Sequence, residues 1–376
     1  MSNPRMMNMI VAGGGTGGHL FPGLAVAEEF QKHENVDRIV FVGTYHGIEA
    51  TVIPREGFTL EFIRAEGLVG KSVYKKIRAA FFLLLALVDS YKIIRKYDPD
   101  IIIGSGGYAS FATVFAGFIL MIPTLILEQN SMPGLANRIL GRFANIICVT
   151  YQESMRYFPK SRTCLTGNPV RERVMRGSKV SAVKLFKLES GKFTVLVFGG
   201  SHGASSINRA MVDALQYLLD IRTDIQFLHQ TGEKDYDYVR NAYRSFSFSG
   251  MISPFIFQMA EAYAVSDIVV SRAGATTLAE LTSVGKPAIL VPYPYAAGNH
   301  QELNARKLEQ MRAAYMILDR NLNGRKIADM IKELYSSEKL RNEMQQNCNA
   351  LGQPHAAKKV FDMAISILSR RREKNV

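Results

Sequence analysis

At 376 residues the chain fits about two domains of ordinary size, and its 47% hydrophobic content without a low-complexity tract describes a folded chain rather than a disordered or fibrous one. Cys148, Cys164 and Cys348 have no paired or Cys/His metal-ligand spacing, which argues against a disulfide scaffold or a zinc module. The net charge of +13 asks for a partner of opposite sign; nucleic acid is disfavoured, since the basic residues are spread out with no zinc-finger spacing, RNP-like aromatic motif or basic zipper, which leaves anionic lipid and phosphorylated substrates.

Met1-Ser2-Asn3-Pro4-Arg5 runs directly into an apolar segment, without the pattern of a secretory signal, so a cytoplasmic location is expected. Strand-like runs follow at residues 9–12, 38–42, 101–103, 124–127 and 145–149, with helical stretches between them. Residues 71–96 stand out: Lys75, Lys76 and Arg78 precede an apolar run at 80–88, and Lys92, Arg95 and Lys96 follow it. The run is too short to span a bilayer, which takes about 20 residues. Phe81, Phe82, Leu84, Leu85 and Val88 between basic flanks suit a helix lying on a membrane surface, and equally a helix buried in a core; both readings stay open.

The turn-rich Thr166-Gly167-Asn168-Pro169 predicts a domain boundary, giving domains at 1–168 and 169–352. The second half repeats the alternation, with strands expected at 194–198, 225–230, 268–271 and 288–291. A last helical stretch, within 353–376, is expected to pack back onto the first domain, and the basic cluster from Arg370 to Lys374 reads as a solvated tail. The alternation predicts an α/β chain of two doubly wound, Rossmann-like domains facing across a cleft, with ligands at the carboxyl ends of the strands.

Each half opens on a glycine turn between a strand and a helix: Gly13-Gly14-Gly15-Thr16-Gly17-Gly18-His19 in the first and Gly199-Gly200-Ser201-His202-Gly203-Ala204 in the second. Glycines let backbone N–H groups approach an anion, and a helix N-terminus adds partial positive charge, so two phosphate sites are expected. Gly13, Gly15 and Gly18 formally satisfy the dinucleotide pattern GxGxxG. The second strand, however, ends in Val42-Gly43-Thr44-Tyr45-His46, with no carboxylate in position for a ribose, which argues against a dehydrogenase.

Seven further strings carry more information. They are GGTGGHLFPGLA at 14–25, GSGGYAS at 104–110, LEQNSMPGLAN at 127–137, TGNPVR at 166–171, FGGSHGASSIN at 198–208, SRAGATTLAE at 271–280 and GNHQELNA at 298–305. In this order over essentially the whole chain, they resemble the MurG family of peptidoglycan synthesis. Its members move N-acetylglucosamine from UDP onto the C4 hydroxyl of N-acetylmuramate in undecaprenyl-pyrophosphoryl-muramoyl-pentapeptide, with inversion. The resemblance implies a GT-B fold, with the lipid acceptor on the first domain and UDP-N-acetylglucosamine on the second.

By the same resemblance, Glu280 is expected to accept from the ribose hydroxyls, a role suited to two acceptor oxygens facing vicinal donors. Ser201 is expected at the diphosphate, with Ala275, Thr276, Thr277, Leu278 and Ala279 at the next helix start beside it. The backbone of Ile256 is expected to read the uracil, and Arg171 to offset phosphate charge. His300, Gln301 and Asn130 are expected near the donor sugar. In the first domain Thr16, Gly17 and Gly18 are expected where donor and acceptor meet, and Gly14, Gly15, Ser105, Gly106, Gly107 and Tyr108 at the acceptor pyrophosphate. His19 is the candidate general base, because an imidazole titrates near neutrality; a positioning role stays open beside it, with Glu128 in reserve.

Many family members carry His before the Glu-Gln-Asn triplet where this chain has Leu127, which adds weight to His19. The strings Asp235-Tyr236-Asp237 and Asp98-Pro99-Asp100 match the DxD of metal-dependent glycosyltransferases, but both read as turn or helix-start residues. Neither a metal nor another cofactor is expected. A polyprenyl acceptor implies an anionic membrane surface as partner and peripheral attachment at the cytoplasmic face of the cell membrane, with other cell-wall and cell-division proteins as further candidate partners.

Overall fold

The computed structural model describes residues 6–65, 73–200 and 203–374. The chain divides into two compact units, one running to Arg171 and resuming at Pro354, the other Glu172–Gln353.

The first unit holds a seven-stranded sheet in the order β3-β2-β1-β4-β5-β6-β7. These are β1 (Met7–Gly13), β2 (Val36–Gly43), β3 (Thr59–Phe62), β4 (Ile101–Gly106), β5 (Thr124–Glu128), β6 (Ile146–Val149) and β7 (Thr163–Leu165), and every pairing is parallel. Parallel strands joined by helical crossovers are covered on both faces, so the central ones are unbroken apolar runs. Alternate residues of β1 serve different cores: Met9 and Val11 pack with Leu24, Phe30 and Phe41, and Ile10 and Ala12 with Val40, Ile102 and Ile126.

The second unit repeats the design with six strands in the order β10-β9-β8-β11-β12-β13: β8 (Phe193–Phe198), β9 (Ile225–Gln230), β10 (Ser249–Ser253), β11 (Ile268–Ser271), β12 (Ala288–Leu290) and β13 (Ala314–Met316). This is the Rossmann order, and its direction reverses between β8 and β11, as it does between β1 and β4 in the first unit. Ligands of open α/β sheets bind at such reversals, beyond the carboxyl ends of the strands.

The last helix, Ala356–Lys374, belongs to the first unit and packs on the helix Gly17–Gln31. The Phe361 ring stacks on His33 at 3.9 Å between centroids and meets Phe30 edge-on at 4.7 Å. Truncating such a buried phenylalanine to alanine typically costs about 3–5 kcal/mol.

The basic-flanked segment lies in the helix Val73–Tyr97, with Lys71 and Ser72 outside the described residues. Ala86, Ser90, Ile93 and Ile94 are buried, whereas Phe81, Leu84, Val88 and Tyr91 are exposed at three- and four-residue steps. The helix is therefore not buried on all faces, and one open face is apolar. Phe118, Ile119 and Met121, at the end of the neighbouring helix Gly107–Ile119, are also exposed. Among the described residues no helix is long and apolar enough to cross a membrane.

Candidate active site

In the first unit the reversal between β1 and β4 brings two glycine loops together. A Cβ on Gly107 would lie 3.0 Å from the Gly14 carbonyl oxygen, and one on Gly106 only 2.3 Å from His19 Nδ1. Both glycines have positive φ, 110° at Gly106 and 84° at Gly107, so the loop after β4 closes on the first turn only because it has no side chains there. His19 sits in the first turn of the helix Gly17–Gln31, half-buried, with its Nδ1 atom buried against Gly106.

Several residues expected at the acceptor are committed elsewhere. The Gly15 N–H donates to Glu49 Oε2 at 2.7 Å, so it is not turned to a phosphate. The Glu49 carboxylate also accepts from the Thr44 N–H at 2.8 Å and the Thr44 hydroxyl at 2.9 Å, and it is fully buried. A carboxylate therefore lies near the end of β2, but its oxygens face inward and hold the turn. Ser105 is buried, and its hydroxyl lies 3.4 Å from the Ala12 carbonyl. Its carbonyl accepts from Gln129 Nε2 at 2.8 Å. The Ser105 side chain thus supports the loop from beneath, while Tyr108 at the start of the next helix is exposed.

Glu128 is buried at the end of β5 and accepts from the Asn130 N–H (2.9 Å), Asn137 Nδ2 (2.9 Å) and the Gly134 N–H (3.2 Å). Burial pushes its pKa up, opposed by those donors. Both oxygens are occupied, by the loop 130–134 and by Asn137, an arrangement suited to holding Asn130. Arg171 is likewise engaged: Nη1 pairs with Glu56 Oε1 at 3.2 Å and the guanidinium lies 4.9 Å from the Phe21 ring centre. Its charge is thus partly offset within the first unit.

In the second unit the reversal between β8 and β11 collects the second glycine turn and the helix Ala275–Val284. Ser201 and His202 lie outside the described residues. Gly203 has φ 75°, and a Cβ there would be 2.0 Å from the Thr231 carbonyl oxygen. Gln230, at the end of β9, donates from Nε2 to the Gly200 carbonyl (2.9 Å) and accepts the Ile256 N–H on Oε1 (2.9 Å). One buried side chain thus ties the glycine turn to the backbone expected to read uracil, and of the Ile256 peptide groups it is the carbonyl that is left for a base.

On the helix Ala275–Val284, Thr276 and Ala275 are buried, and Thr277, Ala279 and Glu280 are half-buried. Glu280 Oε2 accepts from the buried Tyr263 hydroxyl at 2.8 Å. Leu278 is buried and its N–H is spent on the Gly274 carbonyl at 3.0 Å, so it shapes the helix start rather than offering a donor. Arg272 binds Asp319 at 2.5 Å and Ser206 Oγ at 2.8 Å, fixing the end of β11 to the helix Ser205–Ala214. Gln301 Oε1 accepts from the Tyr293 N–H at 2.9 Å, and His300 opens the helix His300–Gln310, half-buried. Glu49, Gln230, Tyr263 and Arg272 were not singled out in the sequence. Their signal there is weak, a polar residue beside an apolar strand or at a helix start.

The DxD strings are engaged structurally. Asp100 accepts from the Asn8 N–H at 2.9 Å, and Asp235 from Asn208 Nδ2 at 2.8 Å.

Residues 9–149 match the glycosyltransferase family 28 N-terminal domain and residues 194–360 its C-terminal domain. The chain belongs to glycosyltransferase family 28. Its relatives include a Thermodesulfovibrio yellowstonii protein, 50% identical over 97% of this chain and 100% of its own length. A Myxococcus xanthus protein is 42% identical over 96% of this chain and 94% of its own. Both are named UDP-N-acetylglucosamine–N-acetylmuramyl-(pentapeptide) pyrophosphoryl-undecaprenol N-acetylglucosamine transferase.

Among solved structures, Acinetobacter baumannii MurG superposes with a TM-score of 0.71 at 27% identity, covering 95% of this chain and 99% of that one. A Neisseria meningitidis UDP-GlcNAc 2-epimerase shares the fold at a TM-score of 0.68 and 13% identity, covering 96% and 100%. The expected α/β class with two Rossmann-like, parallel-sheet domains of GT-B type is thereby established for this family 28 chain, as is its standing as a glycosyltransferase of peptidoglycan synthesis.

Proposed function

We propose that this enzyme transfers N-acetylglucosamine from UDP-N-acetylglucosamine to the C4 hydroxyl of N-acetylmuramate in undecaprenyl-pyrophosphoryl-muramoyl-pentapeptide, with inversion. The observation that carries the reading is the grouping at the β8–β11 reversal: a glycine turn, a helix start and the Glu280 carboxylate, with Ile256 tied to the turn through Gln230. That set matches a nucleoside diphosphate in its three parts. Backbone N–H groups and the helix dipole suit the diphosphate, a carboxylate the ribose diol, and a backbone carbonyl the imide N–H of uracil.

The second unit then holds the donor, with His300 and Gln301 assigned to the sugar. The first unit, with residues 354–376, takes the acceptor. Since the Gly15 N–H is engaged by Glu49, the acceptor pyrophosphate is assigned to the helix start at Thr16, Gly17 and Gly18 and to Gly106, Gly107 and Tyr108. Single displacement needs one base and a stabilised leaving group. His19 is the assigned base, and because its Nδ1 is buried against Gly106, Nε2 is the atom that takes the proton. Glu128 is assigned to holding Asn130.

The exposed Phe81, Leu84 and Val88, the exposed Phe118 and Ile119 of the neighbouring helix, and the exposed Lys92, Arg95, Arg138 and Arg142 support an anionic membrane surface as partner. Apolar side chains meet acyl chains while Lys and Arg meet head groups. Peripheral attachment at the cytoplasmic face follows from that reading.

The test is transfer of radiolabelled sugar from UDP-N-acetylglucosamine to a short-chain analogue of the acceptor lipid, with and without chelator. Chelator-resistant transfer supports both the acceptor class and the metal-free leaving-group site. Absence of transfer by protein that still binds the donor rejects the acceptor.

A further inference from the structure

Glu49 opens the short helix Glu49–Arg55, yet its side chain turns back beneath the first glycine turn and is 0% exposed. The carboxylate joins two loops. Oε2 takes the Gly15 N–H, and Oε1 takes both the N–H and the hydroxyl of Thr44. The chain leaves room for it with glycines: a Cβ on Gly14 would lie 2.3 Å from Cδ, one on Gly47 2.1 Å from Oε2, and one on Gly43 2.5 Å from Cγ. Gly14 also has φ 155°, a backbone conformation that L side chains rarely adopt, so backbone strain and the carboxylate together keep a side chain out of that position.

Burying a carboxylate is unfavourable unless its oxygens find donors, and a hydrophobic side chain would fill the same space more cheaply in stability. What only a carboxylate supplies is an acceptor at each end. A glutamine here would satisfy one backbone N–H and turn its own amino group toward the other, because neither Gly15 nor Thr44 can reverse a backbone donor. The first turn carries His19 four residues beyond Gly15, in the opening turn of the helix Gly17–Gln31.

We infer that Glu49 is a positioning residue for the transfer reaction, setting the first glycine turn, and through it His19, from below. This rests on the assignment of that turn to the acceptor side. Glu49 touches no substrate; its effect is confined to where the loop atoms stand. The place it occupies is beside the end of β2, where dinucleotide enzymes keep an acid for the ribose. Here the acid is spent on the protein, so the first unit presents no ribose acceptor there.

The experiment uses the full-length enzyme with Glu49→Gln. The expected result is a kcat about 100-fold lower, the scale of loss for a displaced catalytic group. The UDP dissociation constant is expected to stay within about twofold, since that site lies in the other unit. Amide hydrogen exchange in residues 13–20 should be faster. A folded variant with wild-type kcat overturns the inference, as does one whose UDP affinity falls in step with kcat, the signature of general loosening. If Glu49→Gln does not fold, Thr44→Val, which removes only the hydroxyl donor, is expected to lower kcat about tenfold, and an unchanged kcat overturns the inference. Should the wild-type enzyme itself transfer no sugar, the proposed reaction fails while exchange in residues 13–20 still decides the role of Glu49: no change in the variant overturns it.

Discussion

The Tyr263 hydroxyl donates to Glu280 Oε2 across 2.8 Å, and both belong to the second unit, on the helices that come before and after β11 in the chain. Burial, then the neighbouring carboxylate, holds the Tyr263 hydroxyl protonated far above neutrality, so it acts as a permanent donor. It fixes one oxygen of Glu280, the carboxylate proposed above to meet the ribose diol. Glu280→Ala is expected to raise the donor KM about 100-fold, the equivalent of losing one or two charge-assisted hydrogen bonds, with the acceptor KM unchanged. Tyr263→Phe should give a smaller rise, about fivefold on the same scale. Steady-state kinetics with each substrate varied in turn check both.

His19→Ala should lower kcat by about 10²–10⁴, the usual range for a lost general base, and leave UDP affinity alone. Gly106→Ala should act the same way without touching the imidazole chemically, because its Cβ would stand 2.3 Å from Nδ1 and push the ring out of place. A Gly106→Ala enzyme with normal turnover would remove His19 from the reaction.

Gln230→Leu keeps the bulk of the side chain but breaks its bonds to the Gly200 carbonyl and the Ile256 N–H. Both partners are then left without their bond. The expected effect on UDP binding, measured by calorimetry, is about a tenfold loss, and binding of uridine and of UDP should weaken together, since one side chain serves both ends.

Replacing Leu84 and Val88 with glutamate should release the enzyme from vesicles of anionic phospholipid in a sedimentation assay. Transfer to a soluble short-chain acceptor should continue at the wild-type rate. Loss of both activities at once would count against a membrane role for this face of the helix Val73–Tyr97.

His229 gives the protein a predictable response to acid. It is fully buried between the Tyr243 hydroxyl (3.2 Å) and Asn208 Oδ1 (3.1 Å), and burial brings its pKa down to about 3 from an ordinary 6.5. The unfolded chain therefore binds a proton that the folded chain does not between about pH 6.5 and 3, so stability falls as pH drops through that window. The slope from this one group is about 1.4 kcal/mol per pH unit. Thermal melts from pH 7 to pH 5 should show a steeper decline in the wild type than in His229→Gln.

The central strands were legible in the sequence because both faces of a parallel sheet are covered, which writes each strand as an apolar run. Strands β3, β7, β10 and β13 were not, and all four are sheet edges. They are three to five residues long, and most of their residues are not fully buried, so neither length nor hydropathy marks them. The helix Ser205–Ala214 gives way to two short 3-10 turns, a change in hydrogen bonding that apolar spacing does not register. At the site, Glu280 came only from the family resemblance, whereas the glycine turns were legible because they follow apolar strands and open helices. The commitments of Gly15 to Glu49 and of Arg171 to Glu56 were not, since both join residues far apart in sequence, 34 and 115 positions.

The return of the helix Ala356–Lys374 to the first unit sets an order on biosynthesis. As the chain leaves the ribosome, residues up to Arg171 emerge first but lack the helix that covers Phe30 and His33. The stretch Glu172–Gln353 is continuous and can complete its own core before translation ends. The half of the enzyme made first is thus the half finished last, and until the final helix arrives the nascent first unit carries an apolar surface of its own to shield.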